Sequence, residues 1–177
     1  MVDYLKLFFA DGVMGYFLQA IGYLLAILAF NKKIFKFSKF LLTASIFSIL
    51  TFGIRSISAF SFGFHTILIM ISFIIISVLI LKMSVPQTVL AVLLTTVVTI
   101  LAESINYGVL CLIFSKDTID FYLKGGESLQ GKFNKALIGI PTNIILVTAM
   151  AFLYKIRMKK VKKEAGKYNG ESSTQNS

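Results

Sequence analysis

A single carboxylate, Glu103, stands in the middle of the long apolar run from Pro86 to Phe114. A charge inside a segment apolar enough to span a membrane is energetically costly, so such a residue is expected to have a partner or a function. Thr96, Thr99, Glu103 and Asn106 follow one another at intervals of three, four and three residues, which places all four on one helical face. We expect this face to look into a helix bundle, away from lipid.

The composition indicates a membrane environment. Of 177 residues, 56% are hydrophobic and only 15% are charged, which is far outside the range of soluble domains. The apolar runs lack the strict alternation of an outer-membrane barrel strand, so the predicted fold class is all-α, a polytopic helical membrane bundle. The single cysteine, Cys111, lies inside an apolar run, where we expect it to pack as a small hydrophobic residue.

Five apolar runs predict five transmembrane helices in one domain that covers residues 1–157. The acidic residues Asp3 and Asp11 precede the first run, where a signal peptide would carry basic residues, so we expect the first helix to be retained. Residues 158–177 are basic and then polar, and they predict a disordered cytoplasmic tail. The helices are predicted at about residues 11–30, 40–60, 65–81, 86–114 and 136–154.

Small residues recur along the first predicted helix. Gly15, Gly22, Ala26 and Ala29 lie on one side of it at helical spacing. Side chains of this size let helix backbones approach closely in membranes. This side of the first helix is therefore predicted to pack against another helix.

The positive charges predict the orientation of the chain. When loops are assigned alternately to the two sides, twelve of the 18 basic residues fall on one side and five on the other, with Arg55 inside the second helix. The positive-inside rule then places the N-terminus outside and the C-terminus inside a bacterial plasma membrane. Charge in these positions favours the lipid bilayer as partner over nucleic acid. A separate signalling protein or a second copy of the chain are the protein partners considered.

Arg55 and Glu103 are predicted to share a layer of the bundle. The second and fourth helices both start at the cytoplasmic face, so the helical rise places Arg55 roughly 22 Å and Glu103 roughly 25 Å into a core about 30 Å thick. His65, Asn106 and Asn143 are expected in the same outer half. Two interpretations stay open: a structural ion pair between Arg55 and Glu103, and an outward-facing ligand pocket built around them.

Patterns that carry catalysis do not occur in the sequence. It contains no nucleotide-binding loop, HExxH, GxSxG or Cys/His pair. One histidine and one intramembrane carboxylate are too few for a metal site. We therefore expect a non-enzymatic protein without cofactor or metal.

Four short motifs resemble a known family. Arg55 closes the second predicted helix, SFGFHT follows at residues 61–66, Glu103 lies in the fourth helix, and ALIGIP at residues 136–141 opens the fifth. Together they resemble the N-terminal five-helix membrane-sensing domain of Firmicutes GHKL-type sensor histidine kinases, over about residues 1–157. The resemblance implies a sensor-type domain in signal transduction, here without the kinase domain. It assigns site roles to Arg55, Glu103 and the SFGFHT turn only.

Three functions are compatible with these features. The first is a sensor-like or regulatory membrane module that detects an extracellular or membrane signal and acts through a partner protein. The second is the substrate-binding membrane subunit of a vitamin-type transporter, which usually has six helices and docks a transmembrane coupling partner. The third, a small immunity or holin-like protein, has no specific residue in its favour. The helix count and the side of the N-terminus discriminate between the first two.

Overall fold

The computed structural model of the protein describes residues 8–34, 36–56, 64–119 and 129–174. Its first helix, α1, has π-helical hydrogen bonds over Phe8–Phe17 and continues as an α-helix over Leu18–Phe30. No strand occurs in the described ranges, which confirms the all-α prediction. The remaining helices are α2 (Phe37–Ser56), α3 (Phe64–Leu79), α4 (Val85–Ile113) and α5 (Leu129–Thr174).

Four helices are long and apolar enough to cross a membrane, which indicates a multi-pass membrane protein. The fifth, α3, is also apolar but has only 16 residues, about 24 Å of helix against a hydrocarbon core of about 30 Å. Five spans therefore stay a prediction. The four long candidates are Ala10–Phe30, Phe37–Arg55, Val85–Ile113 and Phe133–Val161.

The observed helices begin within three residues of their predicted starts, except for α5. That helix was predicted at residues 136–154, and it runs instead over Leu129–Thr174, so the predicted disordered tail begins inside a helix. Nine of the eleven residues from Lys155 to Ala165 are Lys, Arg, Met, Glu or Ala, which are good helix formers. The predicted end of the second helix at residue 60 and the last residues of the tail, 175–177, lie outside the described ranges.

The central helix of the bundle is α1. It packs against α2, α4 and α5, and α3 packs against α2 and α4 from the other side. An aromatic layer joins three helices at mid-height: the Phe73 ring of α3 stacks on Phe47 of α2 at 4.2 Å and meets Tyr23 of α1 edge-on at 5.0 Å. Exposed leucine and isoleucine side chains cover the outer surfaces of α2, α3, α4 and α5, as lipid contact requires.

Two turns at one end of the bundle each contain a lysine with left-handed backbone. Lys32 follows α1 with φ 52°, and Lys82 follows α3 with φ 51°. The N–H of Lys33 donates to the carbonyl of Leu28 at 3.1 Å, which is the closing hydrogen bond of a Schellman motif. We call this end of the bundle, defined by Lys32, Lys33 and Lys82, the lysine end.

Asn31 joins the two turns. Its Oδ1 accepts a hydrogen bond from the Ser84 N–H at 2.8 Å, and its Nδ2 donates to Thr88 Oγ1 at 3.3 Å and to the Ile27 carbonyl at 2.9 Å. The Lys33 side chain adds a hydrogen bond to the carbonyl of Lys82 at 2.7 Å. The end of α1 and the start of α4 are thereby held at the same height.

Gly22 places α1 directly against α5. A Cβ at this position would lie 3.0 Å from side-chain atoms of Leu146, which is fully buried. The predicted small-residue face is confirmed at Gly22, Ala26 and Ala29, which are all buried. Gly15 is only half-buried.

We expect Gly22→Leu to lower the free energy of unfolding by about 1 to 3 kcal/mol, because the larger side chain overpacks the contact with Leu146. Thermal unfolding of the purified protein in detergent measures the loss. Gly108→Leu is the matched control, since a Cβ at Gly108 meets nothing within 4 Å. Equal losses for the two variants would contradict the close approach of α1 and α5.

Candidate functional site

Arg55 and Glu103 lie toward the end of the bundle that is opposite the lysine end. Both α2 and α4 begin near the lysine end; Arg55 lies 18 residues after Phe37, and Glu103 lies 18 residues after Val85. Each residue is therefore about 27 Å along its helix. Both side chains are exposed, so two charges inside apolar helices are accessible at the same height.

Arg55 rests on an aromatic ring of the central helix. Its guanidinium carbon lies 5.2 Å from the centre of the Tyr16 ring, a cation–π contact. The Tyr16 hydroxyl donates a hydrogen bond to Asp11 Oδ2 at 2.9 Å. Asp11 and Tyr16 are five residues apart. Residues at this spacing lie on the same side of a π-helix, which is the conformation of this part of α1. The positive charge of Arg55 is thus close to a negative charge on α1.

The expected ion pair between Arg55 and Glu103 is not formed. Among the residues that the structure describes, no nitrogen–oxygen contact within 4.0 Å joins these two side chains. The reason is the position of α1, which packs against both α2 and α4, so that Arg55 meets Tyr16 before it reaches α4. Counting residues along helices gives height, but it does not give the order of helices around the bundle.

Glu103 projects from the inward face of α4. Thr99 and Asn106 on this face are 9% and 8% exposed, whereas Leu101 and Ile105 on the outer face are each 57% exposed. Glu103 is nevertheless exposed itself. In the described part of the chain this carboxylate makes no hydrogen bond and no ion pair.

The Tyr23 hydroxyl lies between these charges and the aromatic layer. Its Oη is 2.9 Å from Thr96 Oγ1. Thr99 and Glu103 follow Thr96 on the same face of α4, about one and two turns further from the lysine end. We call the region lined by these five residues, Tyr23, Arg55, Thr96, Thr99 and Glu103, the polar cleft.

Two other predicted site residues connect helices. Asn106 Nδ2 donates to the carbonyl of Ile138 on α5 at 2.7 Å, and Asn143 Nδ2 donates to the carbonyl of Met14 on α1 at 3.3 Å. His65 is half-buried in the first turn of α3, where it interacts with other residues of the chain. The structure therefore places Arg55 and Glu103 at the same height of the bundle, and it places the two asparagines between helices.

Sequence reasoning missed Asp11, Tyr16 and Tyr23 as members of the site. In the sequence analysis Asp11 argues against a signal peptide and marks the start of the first helix, although it is also an acid beside an apolar run, the same signal that singles out Glu103. Its spacing of five from Tyr16 is not an α-helical interval, so no periodicity connected them. The first half of the SFGFHT turn, residues 61–63, lies outside the described ranges.

The functional evidence rests on this geometry. No protein family, curated protein or solved structure matches the chain. No group of three or more His, Cys, Asp or Glu side chains that could hold a metal ion occurs among the residues the structure describes. What the cleft offers is one accessible carboxylate, one guanidinium and three hydroxyl oxygens.

Proposed function

We propose that this chain is a non-enzymatic, sensor-like membrane module whose polar cleft receives an external ligand and whose α5 passes the change to a partner protein. One observation carries the proposal: Arg55 and Glu103, two charges within apolar helices, are both exposed at the same height of the bundle. Ionisable residues that face a cavity within a membrane bundle commonly mark ligand or ion sites.

The helix α5 offers a route from the cleft to the other side of the membrane. It has 46 residues, about 69 Å of helix. Near the cleft, Asn143 of α5 binds the Met14 carbonyl of α1, and near the lysine end the guanidinium of Arg157 lies 4.6 Å from the ring centre of Phe30, the last residue of α1. Because α1 contacts α5 at both heights, a movement of α1 at the cleft is coupled to α5 at the lysine end.

The part of α5 around and after Arg157, near the lysine end, suits an interaction on the cytoplasmic side. Lys155, Lys159 and Lys160 are exposed there. Basic residues at this position favour anionic lipid headgroups or an acidic surface of a partner. The resemblance to the membrane-sensing domains of Firmicutes histidine kinases, which rests on its four short motifs alone, supports the same function.

The proposed topology has five spans, with the N-terminus outside and the lysine end in the cytoplasm of a bacterium. The positive-inside rule supports this orientation. The short helix α3 crosses with its apolar side chains exposed, and local thinning of the bilayer accommodates its length. The polar cleft then opens toward the outside.

Reporter fusions test this topology. We expect fusions after Lys39, Met83 and Lys163 to report a cytoplasmic position, and fusions near Gly63 and Gly126 to report an external one, because each of the five helices reverses the side of the chain. If α3 does not cross, the fusions near Gly63 and after Met83 will report the same side. That result, or an external signal after Lys163, would contradict the proposed topology.

A further inference from the structure

We propose that α5 carries a binding site for one anionic phospholipid, in which Arg157 and Lys160 bind the headgroup phosphate and the acyl chains lie along Ile156 and Phe152. The site goes beyond the proposed function, because it lies near the lysine end and not at the polar cleft. Three features of α5 support it: an exposed strip that changes from apolar to basic, a guanidinium fixed against α1, and the absence of acids.

The exposed strip runs along one side of α5. Phe152, Ile156 and Lys160 follow one another at intervals of four residues, so each lies about one turn from the next on the same side of the helix. Phe152 is 66% exposed, Ile156 is 39% exposed, and Lys160 is exposed as well. A phospholipid has the same order of parts, because its acyl chains end in a charged headgroup. The strip therefore matches a phospholipid that lies parallel to α5.

Arg157 lies beside this strip and is fixed against the central helix. Its guanidinium carbon is 4.6 Å from the centre of the Phe30 ring, and the residue is half-buried. A guanidinium stacked on a ring keeps its N–H donors at the edge of its plane. Arg157 precedes Lys160 by three residues, so the two side chains are neighbours on the helix surface. Together they offer a phosphate group a bidentate guanidinium and an ammonium.

The charge of this region favours an anionic headgroup over a zwitterionic one. The sequence has no Asp or Glu from Leu129 to Lys163, so no acid on this part of α5 competes for the two cations. Arg157 and Lys160 form no ion pair among the residues that the structure describes. The choline group of phosphatidylcholine would add a further positive charge beside them, whereas phosphatidylglycerol adds none.

The height of Arg157 favours a lipid over an acidic protein. Phe30 is the last residue of α1, so the guanidinium lies where the apolar part of the bundle ends and lipid phosphates are expected. The apolar candidate span of α5 ends close by, at Val161. A cytoplasmic protein would meet α5 beyond this height and would leave Phe152 and Ile156 to the lipid.

Thermal unfolding of the full-length protein in an uncharged detergent tests the site. The midpoint is measured with phosphatidylglycerol, and with the same amount of phosphatidylcholine that has matched acyl chains. We expect phosphatidylglycerol to raise the midpoint by about 3 °C or more over phosphatidylcholine, because a ligand that binds only the folded chain stabilises it. Inorganic phosphate, compared with chloride at equal ionic strength, should give a smaller rise because it has no acyl chains.

Three variants assign the effect to the site. Arg157→Lys keeps the charge but loses the planar fork, so it should lose about half of the shift or more. Lys160→Gln removes one charge from an exposed position and should also lose about half of the shift. Lys39→Gln is the matched control, since it removes one charge from an exposed lysine on α2, which packs against α1 and α3. It should respond as the wild type does.

The lipid site is overturned if phosphatidylglycerol does not raise the wild-type midpoint over phosphatidylcholine, or if inorganic phosphate raises it as much as phosphatidylglycerol does. It is also overturned if Lys39→Gln loses as much of the shift as Lys160→Gln, because the basic end would then attract lipid without a defined site. Since all these variants lie at the end opposite the polar cleft, each of these results leaves the proposed function standing.

Discussion

Arg55→Met destabilises the protein by about 1 to 2 kcal/mol, and a second substitution, Asp11→Asn, recovers most of that loss. The single variant removes the cation from the Tyr16 ring and leaves the charge of Asp11 uncompensated beside it. Asp11→Asn keeps an oxygen that accepts the Tyr16 hydroxyl proton, so it removes charge without removing the hydrogen bond. The double variant therefore leaves no unbalanced charge in this part of α1.

A double-mutant cycle measures this coupling, with thermal stability in detergent and accumulation in the membrane as readouts. We expect a coupling free energy of about 1 kcal/mol for Arg55 with Asp11. The matched cycle pairs Arg55→Met with Glu103→Gln, and its coupling should be smaller because no contact within 4.0 Å joins Arg55 and Glu103 among the described residues. If Glu103→Gln recovers the stability lost in Arg55→Met and Asp11→Asn does not, the result would indicate an ion pair between Arg55 on α2 and Glu103 on α4.

The fold class and most helix starts could be predicted because they depend on local sequence. Apolar runs of membrane length define α1, α2 and α4, and Pro86 falls in the first turn of α4 as expected of proline. The inward face of α4 was also predictable, since the burial of Thr99 and Asn106 follows from helical periodicity. These features need no knowledge of neighbouring helices.

The partners of the charged residues could not be predicted, because they depend on the order of helices around the bundle. Heights along α2 and α4 place Arg55 and Glu103 in one layer, but only the structure shows that α1 packs against both helices. The π-helical start of α1 is a second reason. It puts Asp11 beside Tyr16 at a spacing that α-helical periodicity does not consider.

The inward position of Asn106 was predicted correctly, but its hydrogen-bond partner was not. It was placed beside Glu103 on the α4 stripe, and its side chain instead reaches the carbonyl of Ile138 on α5. Pairing of this kind depends on tertiary contact between α4 and α5.

Cysteine labelling at position 103 tests most directly whether the polar cleft opens toward the outside. In a Cys111→Ser background, Glu103→Cys is compared with Leu101→Cys in intact cells, using a membrane-impermeant cationic thiol reagent added from outside. The two positions are adjacent in height, but Leu101 is 57% exposed on the lipid-facing side. Thiols react as thiolates, which form in water and not in lipid.

We predict that Glu103→Cys is labelled from outside on the order of ten times faster than Leu101→Cys, because the proposed cleft gives position 103 contact with external water, whereas Leu101 faces lipid. Equal amounts of both variants in the membrane are verified first. Labelling of Glu103→Cys only after the cells are opened would place the cleft on the cytoplasmic side. Equal, slow labelling of the two variants would contradict an open cleft at Glu103.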